Sequence, residues 1–85
     1  MNTQKLKANL LKQHPANMRA VTPSDSADLD KYGILYVKSG GDVKVDLTEE
    51  GTGITLNLED ESFLPLNIKR VYATGTDATD IYVCW

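Results

Sequence analysis

Gly33-Ile34-Leu35-Tyr36-Val37-Lys38-Ser39-Gly40-Gly41-Asp42-Val43-Lys44-Val45-Asp46-Leu47 carries the reading of the fold. Its first half is apolar on both parities, with Ile34 and Tyr36 on one and Leu35 and Val37 on the other. A strand of that composition needs cover on both faces. Its second half alternates Val43, Val45 and Leu47 with Lys44, Asp46 and Thr48, the pattern of a strand with one wet face. Between the two, Ser39-Gly40-Gly41-Asp42 predicts a hairpin turn, the glycines supplying positive φ.

The same texture continues downstream. Glu49-Glu50-Gly51-Thr52-Gly53 turns the chain, and Ile54, Leu56 and Leu58 alternate with Thr55, Asn57 and Glu59. Glu59-Asp60-Glu61-Ser62 is an acidic turn. Phe63 to Tyr72 predicts the longest strand, with Leu64, Leu66 and Ile68 on one face. At Lys69-Arg70 the phase slips to Val71 and Ala73, as it does at a β-bulge or a bend. Pro65 predicts an edge position or the start of pairing. After the polar loop Thr74 to Asp80, Ile81, Val83 and Trp85 form an inward stripe, with Tyr82 and Cys84 opposite. That stripe runs into Trp85, which is expected to leave no room for a tail.

Upstream, Met18 to Thr22 is a candidate first strand, followed by the turn formers Pro23-Ser24-Asp25-Ser26-Ala27-Asp28. Five to seven short antiparallel strands predict an all-β fold, a small sandwich or barrel, over residues 20–85. The expected core stripe is Val43, Val45, Leu47, Ile54, Leu56, Leu58, Leu64, Leu66, Ile68, Ile81 and Val83. Either Ile34 and Tyr36 or Leu35 and Val37 are then left on the other face.

Residues 1–19 differ in kind. Lys5, Lys7, Lys12 and Arg19 stand there without an acid, whereas residues 21–85 hold all 12 acids of the chain. This is a basic arm in front of an acidic body. A short helix is expected over residues 3–13, with Leu6 and Leu10 four apart on one face, Ala8 and Leu11 near its edges, and His14-Pro15 ending it. The hydrophobic alternation lies downstream of the arm, so the arm is expected to be separable from the fold.

The chain has 85 residues, enough for one domain. Domains this small bury only about 60% of the surface of the unfolded chain. They usually add a disulfide, a metal or an oligomer. The single Cys84 and the single His14 supply neither of the first two, which leaves self-association or docking on a larger body. There is no apolar run near the roughly 20 residues that span a bilayer. No apolar region follows the N-terminal lysines, so synthesis in a cytoplasm is expected.

No catalytic constellation is legible. His14 has no nucleophile near it in sequence, and Cys84 reads as a packing residue. The carboxylate pairs Glu49/Glu50 and Glu59/Glu61 fall in turns, where charge is solvated. Asp25, Asp28 and Asp30 would suit calcium by oxygen chemistry but lack the glycine and distal glutamate of an EF-hand loop. The arm has no aromatic residue to stack on bases, and the net charge is −3, so nucleic acid is a poor partner. Neither a cofactor nor a metal nor an enzymatic activity is expected. The outward candidates for protein contact are Ile34, Tyr36, Tyr82 and Trp85, since aromatic residues are enriched at interfaces.

Several phrases, taken in order, resemble one family. They are Ala20 to Leu29, Gly33 to Val37, Gly40 to Val45, Leu64 to Thr76 and Ala78 to Ile81. The chain resembles the small β proteins of tailed-bacteriophage heads, including head-spike base proteins of phage-like gene transfer agents and related capsid decoration proteins. The resemblance covers residues 20–85 and not the arm. It implies a non-enzymatic virion component on the outer surface of a capsid, made in the host cytoplasm. It also implies a closed ring touching the major capsid protein and in some members carrying a head fibre. From the apolar face left over on β2, a closed homo-oligomeric ring is expected, with a trimer favoured over a pentamer by little. The arm residues Lys5, Leu6, Lys7, Leu10, Leu11, Lys12 and Arg19 are then expected to contact the capsid. Ile34, Tyr36, Tyr82 and Trp85 are expected to lie between subunits. The alternatives are a tail or baseplate adaptor or host-surface binding module, for which Tyr72, Tyr82 and Trp85 are the available aromatic set, and an OB-like nucleic-acid-binding protein.

Overall fold

The computed structural model describes residues 16–85. The expected helix over residues 3–13, and with it Lys5, Leu6, Lys7, Leu10, Leu11 and Lys12, lies outside the described residues.

Six strands form: β1 (Met18–Ala20), β2 (Gly33–Ser39), β3 (Gly41–Leu47), β4 (Ile54–Leu58), β5 (Ser62–Val71) and β6 (Thr79–Cys84). They make one antiparallel sheet in the order β1-β6-β2-β5-β3-β4. The all-β, barrel-like fold is thus the one the alternation predicts.

The connection from β2 to β3 is not the predicted hairpin. β5 lies between these strands, and the chain turns a corner at Gly40 instead. The corner packs against the start of the acidic turn, where Gly40 N–H donates to Asp60 Oδ1 at 2.7 Å. A Cβ on Gly40 would collide with the Leu58 carbonyl oxygen, so the glycine is needed for close approach as much as for turning.

β5 is the strand that bends the sheet. Ser62, Phe63 and Leu64 pair with Val37, Tyr36 and Leu35 of β2, while Ile68, Arg70 and Val71 pair with Leu47, Asp46 and Val45 of β3. The pairing shifts between Gly33 and Leu35 on one side and between Asp46 and Leu47 on the other. The second shift is the slip predicted at Lys69-Arg70. The first is where Pro65 sits. Pro65 is therefore in an irregularity of a central strand, not at an edge, and needs no ladder partner there. Extra residues on one strand increase bend and twist. The bent sheet folds its apolar face onto itself.

That face holds Leu35, Val37, Val43, Val45, Leu64, Ile68, Val71, Ala78, Ile81 and Val83. Leu47, Leu56, Leu58 and Trp85 pack around it half-buried. Two expected core residues are outside it. Leu66 is 40% exposed because it falls in the Pro65 irregularity, and Ile54 is 38% exposed because it starts the edge strand β4. The choice left open for β2 is resolved in favour of Leu35 and Val37 inward, each fully buried, with Ile34 and Tyr36 outward and half-buried.

The connector from Val21 to Leu29 completes the enclosure. Val21 N–H donates to Ile81 O at 2.8 Å, Ser24 N–H to Val71 O at 2.9 Å, and Leu29 N–H to Lys69 O at 2.8 Å. It thus runs from β6 to the far half of β5, and Val21 and Leu29 pack on the core. Side-chain bonds pin it. Asp25 accepts from Thr74 N–H at 2.9 Å and from the Thr74 hydroxyl at 2.6 Å, and Arg70 Nε donates to Asp28 Oδ1 at 2.8 Å.

One carboxylate is buried. Asp46 points opposite to Val45 on β3 and accepts from Gly53 N–H at 2.7 Å and from the Tyr72 hydroxyl at 2.8 and 2.9 Å. Burial by itself would raise its pKa, but these donors, with Arg70 nearby, hold it below the ordinary carboxylate value. The Asp46 carboxylate and burial together push the Tyr72 phenol up.

Two stability predictions follow from the core and this polar pin. Leu35→Ala should cost about 2–5 kcal/mol by transfer and cavity terms, read by urea unfolding. Asp46→Ala should cost about 1–3 kcal/mol, because it leaves two donors unsatisfied. The folded pKa of Asp46, and that of Asp25 with its Thr74 donors, lies below the unfolded value of about 3.9. Their contribution is complete above that value and is lost as pH falls through the lower folded pKa. Asp46→Asn should therefore lose less stability than wild type on acidification from pH 5 to pH 2, in urea titrations at several pH values. A variant as acid-sensitive as wild type would contradict the role given to Asp46.

Candidate assembly interface

The outward face of the sheet has its own row of side chains. Ala20 pairs with Tyr82, Tyr82 with Tyr36, and Tyr36 with Phe63, across β1, β6, β2 and β5. Directly paired residues point to the same side of a sheet. The ring centroids of Tyr36 and Phe63 are 4.9 Å apart at 52°, and those of Tyr36 and Tyr82 are 6.3 Å apart at 38°. These are the tilted geometries that aromatic quadrupoles favour. A parallel row, Met18, Cys84 and Ile34, lies one step along the strands.

The patch is apolar and open. Phe63 is 56% exposed and Met18 55%. Two of the large side chains are therefore more than half in water, on a face whose first row carries no charge. Cys84 is buried between Met18 and Ile34, and burial pushes its thiol up, away from the reactive thiolate.

Of the expected subunit-contact residues, Ile34, Tyr36 and Tyr82 come together on this face. Trp85 does not. It follows the inward parity of Ile81 and Val83, packs half-buried against the core, and has the Arg19 guanidinium 5.3 Å from its ring centroid. Arg19, expected in the arm, belongs to β1. Its neighbours Ala16 and Asn17 both donate to Trp85 O at 2.8 Å, and it forms an exposed 3.4 Å ion pair with Asp30. The sheet pairing therefore starts at about residue 16.

Phe63 and Met18 are contact candidates that sequence reasoning missed. Phe63 carried a signal, as a large apolar residue on the wet parity of β5. Its proximity to Tyr36 needed the β2–β5 pairing, which the predicted hairpin obscured.

The other candidate groups are dispersed. Asp25, Asp28 and Asp30 face three different donors, namely Thr74, Arg70 and Arg19. Among the described residues no group of three or more His, Cys, Asp or Glu side chains is placed to hold a metal ion. Tyr72 has Lys44 Nζ 5.0 Å and Arg70 Cζ 5.8 Å from its ring centroid. His14 lies outside the described residues.

No protein-family model and no curated protein matches the chain. Among solved structures, a chain of the "Capsid of native GTA particle computed with C5 symmetry" is 30% identical, with a TM-score of 0.71, over 100% of both chains. The chain belongs to the family of that gene transfer agent capsid chain. The match spans the whole sequence, residues 1–19 included, which extends the likeness beyond the 20–85 region that carries the phrases quoted above.

If the aromatic row is a contact, charging it should break assembly without unfolding the sheet. Covering one large apolar side chain is worth about 1.5–3 kcal/mol. Phe63→Asp and Tyr36→Asp should each weaken self-association by roughly ten- to a hundred-fold in analytical ultracentrifugation. Far-UV circular dichroism should stay that of a β protein. Association unchanged in both variants would remove this face from the interface.

Proposed function

We propose that the protein is a non-enzymatic structural subunit on the outer surface of a phage-like capsid, which decorates or cements the shell as a closed ring and serves as the base of a head spike or fibre. One observation carries the reading: an open aromatic row, Tyr36, Phe63 and Tyr82, on a chain that matches a gene transfer agent capsid chain along its full length. The proposed partners are the major capsid protein and further copies of this chain.

The chemistry supports a contact role over a catalytic one. The buried carboxylate Asp46 is fully engaged by Tyr72 and Gly53, and the thiol of Cys84 is covered. A rotational ring covers the same patch in every copy, which answers the exposure of Phe63 and Met18.

Purified protein mixed with heads lacking it should co-sediment with them at a fixed ratio, and immunogold label should fall on heads. Label confined to tails, or no co-sedimentation at any ratio, would overturn the reading.

A further inference from the structure

The sheet ends in β1 on one side and β4 on the other, and among the described residues neither has a second strand beside it. The hydrogen bonds show which groups each edge presents. In β3, Lys44 N–H donates to Thr76 Oγ1 and Lys44 O accepts from Tyr72 N–H, while Asp42 O accepts from the Asp77 and Ala78 N–H groups. Lys44 and Asp42 thus turn their main-chain groups away from their β4 partners, Thr55 and Asn57. Bonded and non-bonded pairs alternate in an antiparallel ladder, so Ile54, Leu56 and Leu58 bond to β3, and Thr55 and Asn57 direct N–H and C=O to the open edge. At the other end, Asn17 and Trp85 exchange both bonds, and Val21 N–H donates to Ile81 O. Arg19 with Val83 is the bonded pair between them, which leaves Met18 and Ala20 directing N–H and C=O outward.

The two edges match. Each presents two residues spaced two apart on the outward parity of the sheet. Thr55 and Asn57 alternate with the half-buried Leu56 and Leu58, and Ala20 stands in the row of Tyr82 and Tyr36. Every neighbouring pair in the six-stranded sheet is antiparallel, so β1 and β4 run in opposite directions. A second copy set beside the first, outward face on the same side, therefore meets β4 with an antiparallel β1. The charges also match. Residues 49–61 hold Glu49, Glu50, Glu59, Asp60 and Glu61, all exposed, and no base. Beside β1, Arg19 and Lys31 line one recess, and the acids there, Asp28 and Asp30, are engaged by Arg70 and Arg19. Natural edge strands are blunted by lysine, proline or a bulge, and β4 has none of these.

We infer that β4 of one copy pairs with β1 of the next, so that one sheet runs on from subunit to subunit. The register sets Thr55 opposite Ala20 and Asn57 opposite Met18 as the two bonded pairs. Ile54 then lies opposite Val21, which covers a side chain now 38% exposed. The aromatic row has Ala20 at its β1 end, so the joined edge continues that candidate interface into the next copy. Main-chain bonds supply the affinity, as in other strand-addition complexes. An edge given on one side and received on the other is a heterologous contact, which closes when repeated around a rotation axis. The inference rests on the closed-ring reading and names the surfaces that close the ring.

Cysteine trapping on the full chain tests it, in a Cys84→Ala background so that the native thiol opposite Met18 takes no part. Bonded antiparallel partners have Cα atoms about 5.5 Å apart, within reach of a disulfide. Ala20→Cys mixed with Thr55→Cys, oxidised and run without reductant, should give a heterodimer, and neither variant alone should. Asn57→Cys in place of Thr55→Cys covers the register two residues along. No heterodimer in either mixture overturns the inference. So does an Ala20→Cys/Thr55→Cys double variant that closes only within one chain, because the two edges then meet inside one molecule. Asn57→Pro is the second measurement. It removes an N–H that the β3 ladder does not use, so far-UV circular dichroism should keep its β signature. Self-association should fall roughly ten-fold or more in analytical ultracentrifugation, and association equal to wild type would also overturn the inference. Wild-type protein that self-associates and co-sediments with heads while trapping fails leaves the ring and decoration readings standing. Wild-type protein that stays monomeric, both free and on heads, overturns the ring reading and this inference with it.

Discussion

β5 hydrogen-bonds to β2 along its first half and to β3 along its second, and the rest of the molecule depends on that change of partner. A straight strand would hold β2, β5 and β3 in one flat sheet with two open faces. The irregularities at Pro65 to Asn67 and at Lys69 add residues to β5 that its partners lack, so the sheet bends and one face closes on itself. A single layer of secondary structure thereby makes its own core. The connector from Val21 to Leu29 seals the remaining gap with three backbone bonds and two pinned aspartates.

Closing one face in this way leaves the other without a partner among the described residues. β2 shows the consequence. It lies between β6 and β5, so Leu35 and Val37 are wholly buried, and the alternate residues Ile34 and Tyr36 stand at the middle of the outward face. Phe63 and Tyr82 join Tyr36 because the register puts them there. The aromatic row is thus a direct result of the pairing that builds the core. Its exposure is the physical reason to read the chain as one member of an assembly, and membership of a capsid-chain family agrees with that.

Much of this was legible from alternation alone. The strands, the two-sided character of Ile34 to Val37 and the slip at Lys69-Arg70 all follow from side-chain period, which is a local property. Pairing partners are not local. Gly40-Gly41 reads as a hairpin turn in sequence, but the close approach of Leu58 and Asp60 makes it a corner, and β5 enters between the strands it joins. From that one misreading came the missed contact of Phe63 with Tyr36. Leu66 was assigned inward by counting through an irregularity that resets the count. Trp85 shows the limit of residue type as a guide, since its parity, not its aromaticity, decides which face it joins.

The central claim is that the sheet closes one face on its own core and presents the other to its partners. A reconstruction of the particle, refined locally around this protein, tests it most directly. The account predicts the outward row of Tyr36, Phe63 and Tyr82 buried against adjoining subunits on the outer capsid surface. A ring or shell position in which that row faces open solvent would contradict it.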